Sequence, residues 1–150
     1  MLDRLIEKYP ESFLLSYIKK CKDKEIIIGK ELMQQLDILL DHFDDEEISV
    51  EFSEAHKRIN FIESKCKHSE APFAGKPFLL LHYQKAFIEA IYSFKIYDEE
   101  IGRQIRLYQD IIFLVGRKNG KTPLISAICL AEWFCGPMGL KILCSSNDYE

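Results

Sequence analysis

The stretch Val115-Gly116-Arg117-Lys118-Asn119-Gly120-Lys121-Thr122 concentrates the residue types that hold phosphate. Such a site needs three parts in order: a buried strand, a glycine turn that exposes backbone N–H groups, and a helix whose N-terminus faces the anion. The apolar run Ile111-Ile112-Phe113-Leu114-Val115 supplies the first, Gly116 and Gly120 the second, and an apolar stripe over Lys121 to Phe134 the third. In that frame Gly120 lets the backbone approach a β-phosphate with no Cβ in the way. Lys121 reaches the β- and γ-phosphates as a mobile point charge, and the Thr122 hydroxyl is the expected Mg²⁺ ligand. Pro123 falls in the first turn, where its missing N–H would have had no helical partner.

The spacing departs from the standard G-x-x-x-x-G-K-[ST] pattern. Only three residues separate Gly116 from Gly120, so the first glycine of that pattern falls on Val115. Arg117 and Lys118 load the loop with further positive charge. A basic surface turn containing Gly-Lys-Thr is the alternative for the string alone; the apolar strand before it and the amphipathic helix after it favour phosphate.

The elements that must position this loop are readable from periodicity. Leu2, Leu5 and Ile6, then Phe13, Leu14, Tyr17 and Ile18, follow helical spacing around a break at Pro10. Gly29 precedes a helix with Leu32, Met33, Leu36, Leu39 and Leu40 on one face. The acidic cluster Asp44-Asp45-Glu46-Glu47 reads as a connection. A further helix follows, with Ser53 as N-cap and Phe52, Ala55, Ile59, Ile62 and Cys66 as its stripe. The preceding Leu39-Leu40-Asp41 looks like an apolar run ending in carboxylates, but its period is helical and it reads as part of an acidic surface.

Ser69 to Pro77, with Pro72 and Gly75, carries loop chemistry. It marks the expected boundary between a helical N-terminal region (1–70) and the start of an α/β core (71–150). Within that core Phe78 to Leu81 is short and apolar, Tyr83 to Phe94 is helical, and Asp98 to Gly102 is a turn. Ile105, Leu107 and Ile111 to Val115 suggest a strand or hairpin, and five consecutive apolar residues suit a parallel strand buried on both faces. The helix over Lys121 to Phe134 carries Leu124, Ile125, Ile128, Ala131 and Phe134 and stops at Gly136-Pro137. Leu140 to Cys144 is a second strand, and Asn147 to Glu150 opens another helix. Strand, loop, helix, strand is a βαβ unit. The fold class expected is therefore α/β: a partial P-loop NTPase core with a Rossmann-like parallel sheet, preceded by helices.

Composition narrows the function classes. The chain has 150 residues, 47% hydrophobic and 29% charged, which describes an ordinary globular domain. Charges interrupt the N-terminus throughout, and no apolar run approaches the roughly 20 residues that cross a bilayer, so cytoplasmic residence is expected. Five scattered cysteines do not form a disulfide framework. Cys129, Cys135 and Cys144 read as small apolar residues, and Cys66 with His68 as a solvated helix end rather than half a metal site. Residues 1–70 hold 11 Lys and Arg against 16 Asp and Glu, whereas residues 71–150 hold 9 against 8. Neither half is a strongly basic nucleic-acid binder.

The string Arg117-Lys118-Asn119-Gly120-Lys121-Thr122 resembles the variant Walker A loop of the large terminase subunits of tailed phages. Its surroundings are similar too: Gly75-Lys76-Pro77-Phe78, then His82-Tyr83-Gln84-Lys85, and downstream Lys141-Ile142-Leu143-Cys144-Ser145-Ser146-Asn147. The resemblance spans about residues 25–150. It implies an ATP-driven DNA-packaging motor whose N-terminal ATPase works beside an RNase H-like nuclease. ATP and Mg²⁺ are the implied cofactors; double-stranded phage DNA, the portal protein and the small terminase subunit are the implied partners, in the host cytoplasm. Lys121 and Thr122 would bind phosphate and Mg²⁺, with Gly116, Lys118, Asn119 and Gly120 completing the loop. Arg117 would match the arginine that senses γ-phosphate charge, and Gln84 the glutamine that reads the adenine edge, for which an amide is suited because it both donates and accepts.

Hydrolysis also needs a second strand ending in acidic residues. Nothing after Thr122 supplies one, nor are the nuclease carboxylates evident. The expectation is a fragment of the motor that binds Mg·ATP weakly and turns over negligibly. A helicase-like P-loop enzyme, or a non-catalytic interaction module built on residues 1–70, are the competing readings.

Overall fold

A computed structural model describes residues 1–69 and 71–145. Those residues form six helices and three short strands: three helices, a strand, two helices, two strands and a last helix. Helices α1 (Leu2–Lys8) and α2 (Phe13–Lys22) are separated at Pro10, where the expected break falls. Ser12 caps α2 by accepting from the Leu15 N–H, and α3 (Lys30–Asp41) starts after Gly29. Their apolar faces meet in a first core cluster with Leu5, Leu14, Ile18, Leu36, Leu40 and Phe43 at its centre. Helix α4 (Ser53–Lys65) begins at the expected cap itself, so the N-cap falls one residue earlier, on Phe52. Instead of capping, the Ser53 hydroxyl donates to the Glu51 carboxylate.

After α4 the chain turns through a loop closed by a bridge between Lys67 and Pro77. Phe78 and Leu80 then point inward and Leu79 and Leu81 outward, an alternation that leads into α5 (His82–Tyr92). Helix α5 is shared by two cores. Ala86 contributes to the first cluster, while Ile88, Ile91 and Tyr92 join a second with Ala55, Ile59 and Ile62 of α4. Leu124, Ala127 and Ala131 of the last helix, α6 (Lys121–Cys135), complete that second cluster. The expected boundary at 70/71 lies in the connection from α4 to α5, and residues on both sides of it build each cluster.

The strands form one antiparallel sheet in the order β1 (Ile48–Val50), β2 (Phe94–Asp98), β3 (Arg103–Arg106). The β2–β3 hairpin turns where expected, between Asp98 and Gly102, whose left-handed φ of 68° suits glycine. The α/β class therefore holds, but the sheet of the described residues is antiparallel. Phe94 opens β2 rather than closing α5, and the 3-residue β1 was not anticipated. Residues 111–115 and 140–144, expected as strands, run without helix or strand pairing. The helix expected from Asn147 lies outside the described residues.

Candidate functional site

The loop that carries the phosphate-binding residue types sits between residues 111–115 and α6. Phe113 is held by ring contact with Phe87 of α5, centroids 4.3 Å apart. Ile112 and Leu114, by contrast, are 84% and 88% exposed. Phe113 thus faces α5 while its two neighbours face solvent, the two-residue step of extended chain.

From Gly116 the backbone curls through turns and bends instead of running on extended. Two residues take left-handed conformations, Lys118 at φ 65° and Gly120 at φ 69°. Gly120 is the N-cap of α6, and its carbonyl accepts the first helical bond, from the Leu124 N–H at 3.1 Å. A Cβ there would meet nothing closer than Gln84 Nε2 at 4.0 Å. Its conformation, not lack of space, calls for glycine. At Gly116 space matters: a Cβ would come within 3.0 Å of Asn119 Nδ2.

The first amides of α6, Lys121 and Thr122, find no backbone acceptor among the described residues. No side chain caps this helix, and Pro123 takes the third position, where its lack of an N–H removes no helical bond. All residues from Gly116 to Thr122 are exposed. Arg117, Lys118 and Lys121 form no ion pair among the described residues. The arrangement is an open, cationic turn with donor amides at a helix mouth, whose dipole adds to the attraction for an anion.

Gln84 stands beside this loop, on the first turn of α5, and is 4% exposed. Its Oε1 accepts the Leu81 N–H at 2.9 Å, so the amide serves as a cap of α5. Its Nε2 faces the Tyr83 hydroxyl at 3.5 Å, and that hydroxyl donates to the Asn119 carbonyl at 3.3 Å. The sequence singled out Gln84 and passed over Tyr83, which is the residue that touches the loop. Its position, immediately before Gln84 at a helix start 36 residues from Asn119, was the only signal available.

The far end of α6 is pinned by charge. Arg58 of α4, nearly buried, donates to Glu132 at 2.8 Å and also engages Glu54. Burial opposes the guanidinium's charge, but the two carboxylates outweigh it and raise its pKa. Burial likewise works to raise Glu132, yet bonding to Arg58 and Tyr92 holds its carboxyl below the ordinary value. The expected α6 stripe is correct at Leu124, Ile128 and Ala131. Ile125 is partly and Phe134 largely exposed, and Ala127 faces the core in their place. Phe134 retains one contact, stacked on Phe61 with centroids 5.3 Å apart.

Among the described residues no helix is long and apolar enough to cross a membrane. Comparison with protein-family models, with curated proteins and with solved structures returns no significant match for this chain.

Proposed function

We propose that this chain is the N-terminal, nucleotide-binding part of a terminase large subunit, the ATP-driven motor that packages phage DNA. One observation carries the reading: the Gly116–Thr122 segment curls, with Gly120 left-handed, into a cationic turn at the open N-terminus of α6. Backbone donors, a mobile lysine and a hydroxyl follow one another there in the order that triphosphate binding requires. Gly116, Asn119 and Gly120 give the turn its shape, Lys118 and Lys121 supply charge, and Arg117 is available to a γ-phosphate.

Thr122 fits a Mg²⁺ ligand, since it lies exposed at the second position of α6 with its hydroxyl engaged by no described residue. When bound there, the ion would offset phosphate charge. The chain's own residues would orient the nucleotide: the Lys121 and Thr122 amides, which have no backbone acceptor among the described residues, would donate to its phosphates, and the Lys121 ammonium would offset their charge.

A parallel P-loop sheet belongs to the same proposal. Residues 111–115 pack one face on α5 through Phe113 and leave Ile112 and Leu114 bare, and Leu143 is 94% exposed. Apolar residues open on one side of an extended segment fit strands that gain neighbours and a covering layer in a three-layer α/β domain. Double-stranded DNA, the portal protein and the small terminase subunit are the partners this reading proposes.

Calorimetric titration with Mg·ATP tests it directly. Binding is expected for the chain as it stands, and Lys121→Ala should weaken it at least tenfold, about 1.4 kcal/mol. Absence of binding, or a variant that binds as well as the parent, refutes the nucleotide site.

A further inference from the structure

We infer that Tyr83 and Gln84 act together as a strap that holds the phosphate-binding turn in shape, making them positioning residues for the phosphates instead of readers of the base. This rests on the nucleotide-binding reading above, but it concerns a different contact. The observation is a continuous relay from α5 to the loop. The Leu81 N–H donates to Gln84 Oε1 at 2.9 Å, Gln84 Nε2 donates to the Tyr83 hydroxyl at 3.5 Å, and that hydroxyl donates to the Asn119 carbonyl at 3.3 Å.

Direction is fixed by chemistry along this relay. The Leu81 amide can only donate, which sets the Gln84 oxygen toward it and the NH₂ toward Tyr83. Accepting from Gln84 leaves the tyrosine proton free to turn to the Asn119 carbonyl, which can only accept. Asn119 immediately precedes left-handed Gly120, the residue whose carbonyl starts α6. Fixing the carbonyl of Asn119 fixes the peptide plane between Asn119 and Gly120. It thereby sets how the amides that follow are aimed.

Reading an adenine edge asks an amide to present a donor and an acceptor side by side to the base. Gln84 is almost wholly buried, and its oxygen is committed to the α5 cap. Its open influence runs through Tyr83 into the loop. A ligand held by such a device is recognised by its phosphate chain, so the base contributes little to what this strap selects.

The test uses Tyr83→Phe, which keeps the ring and removes the hydroxyl, with three probes: Mg·ATP, Mg·GTP and Mg·tripolyphosphate, the last having no base. Loss of one hydrogen bond should weaken all three in parallel by about three- to tenfold. Global stability in urea should be unchanged, which excludes unfolding as the cause. Backbone order parameters at Asn119 and Gly120 should fall, and the Leu124 amide should exchange faster, with no ligand present. Unchanged affinity for all three probes overturns the strap. So does a loss confined to Mg·ATP, or Gln84→Met weakening Mg·ATP while sparing tripolyphosphate, because either outcome assigns the pair to the base. Should the parent chain bind none of the probes, the nucleotide reading fails, and the ligand-free order parameters alone decide the strap: lowered by Tyr83→Phe they support it, unaltered they refute it.

Discussion

At the scale of single residues, the most constrained group outside the loop is Glu89 on α5, whose side chain has no solvent exposure. Its two oxygens accept from four donors: the Ser12 hydroxyl at 2.9 Å, the Phe13 and Leu14 N–H groups at 3.0 and 2.7 Å, and His56 Nε2 at 2.6 Å. Phe13 and Leu14 open α2, so Glu89 supplies from another helix the acceptors that a helix start lacks, and its negative charge suits the positive end of the dipole. One buried carboxylate thus ties α2, α4 and α5 together. In Glu89→Gln one acceptor becomes an NH₂ set against a buried N–H. The loss expected is about 2–3 kcal/mol in urea unfolding, with faster amide exchange at Phe13 and Leu14. A loss under roughly 0.5 kcal/mol would mean that water or rearrangement satisfies those donors instead. Nothing in the spacing of Glu89 marks it out in the sequence. Its partners lie 33 to 77 residues away, and only folding brings them together.

At the scale of elements, local periodicity was enough for helices and not for strands. Helices α2, α3 and α5 carry their own signal, because apolar residues three and four apart commit a face whatever the partner. The end of α5 was misread for a specific reason. Ile91 to Phe94 fits a helical step, yet Phe94 and Ile96 also fit the two-residue step of β2, and only pairing with Val50 and Ile48 decides between them. Strand β1 is too short to show any period. The run 111–115 shows the opposite failure, since its composition promises burial on both faces while the structure covers only the side at Phe113. Within the loop, the glycine turn at Gly120 and the helix start at Lys121 were legible because their signals are local, whereas the contact of Tyr83 with Asn119 depends on how α5 lies beside it. The same dependence governs the attachment of α6. Glu132→Ala should cost about 3 kcal/mol by leaving the Arg58 charge buried with only the partly exposed Glu54 as carboxylate partner. Urea unfolding with an unchanged m-value is the measurement. A cost below about 1 kcal/mol would show that Glu54 alone suffices and that α6 is held by its apolar face.

At the scale of the whole molecule, α5 joins the two apolar clusters, and its first residue, His82, gives the structure a dependence on pH. His82 packs edge-on against Tyr17, with centroids 5.6 Å apart, where the core of α2 meets α5. Burial lowers its pKa below 6.5, and the Lys20 charge presses the same way against a weaker opposing bond to the Phe13 backbone. The folded protein therefore binds this proton less readily than the unfolded chain. Stability is complete above pH 6.5 and declines as the pH falls from there through the lowered value, since the unfolded state gains the proton first. Glu132, also lowered, adds a loss of the same sign at more acid pH, below its ordinary value of 4.5. The two windows are separable. His82→Phe keeps an aromatic ring against Tyr17 and removes the titration, so its urea midpoint should stay flatter than the parent's as the pH falls below 6.5, while both proteins share the Glu132 loss below pH 4.5. If the parent's midpoint is already flat as the pH falls from 7 through 6.5 and below, or if the variant falls as steeply, His82 is not held toward the neutral form by its packing against Tyr17 of α2.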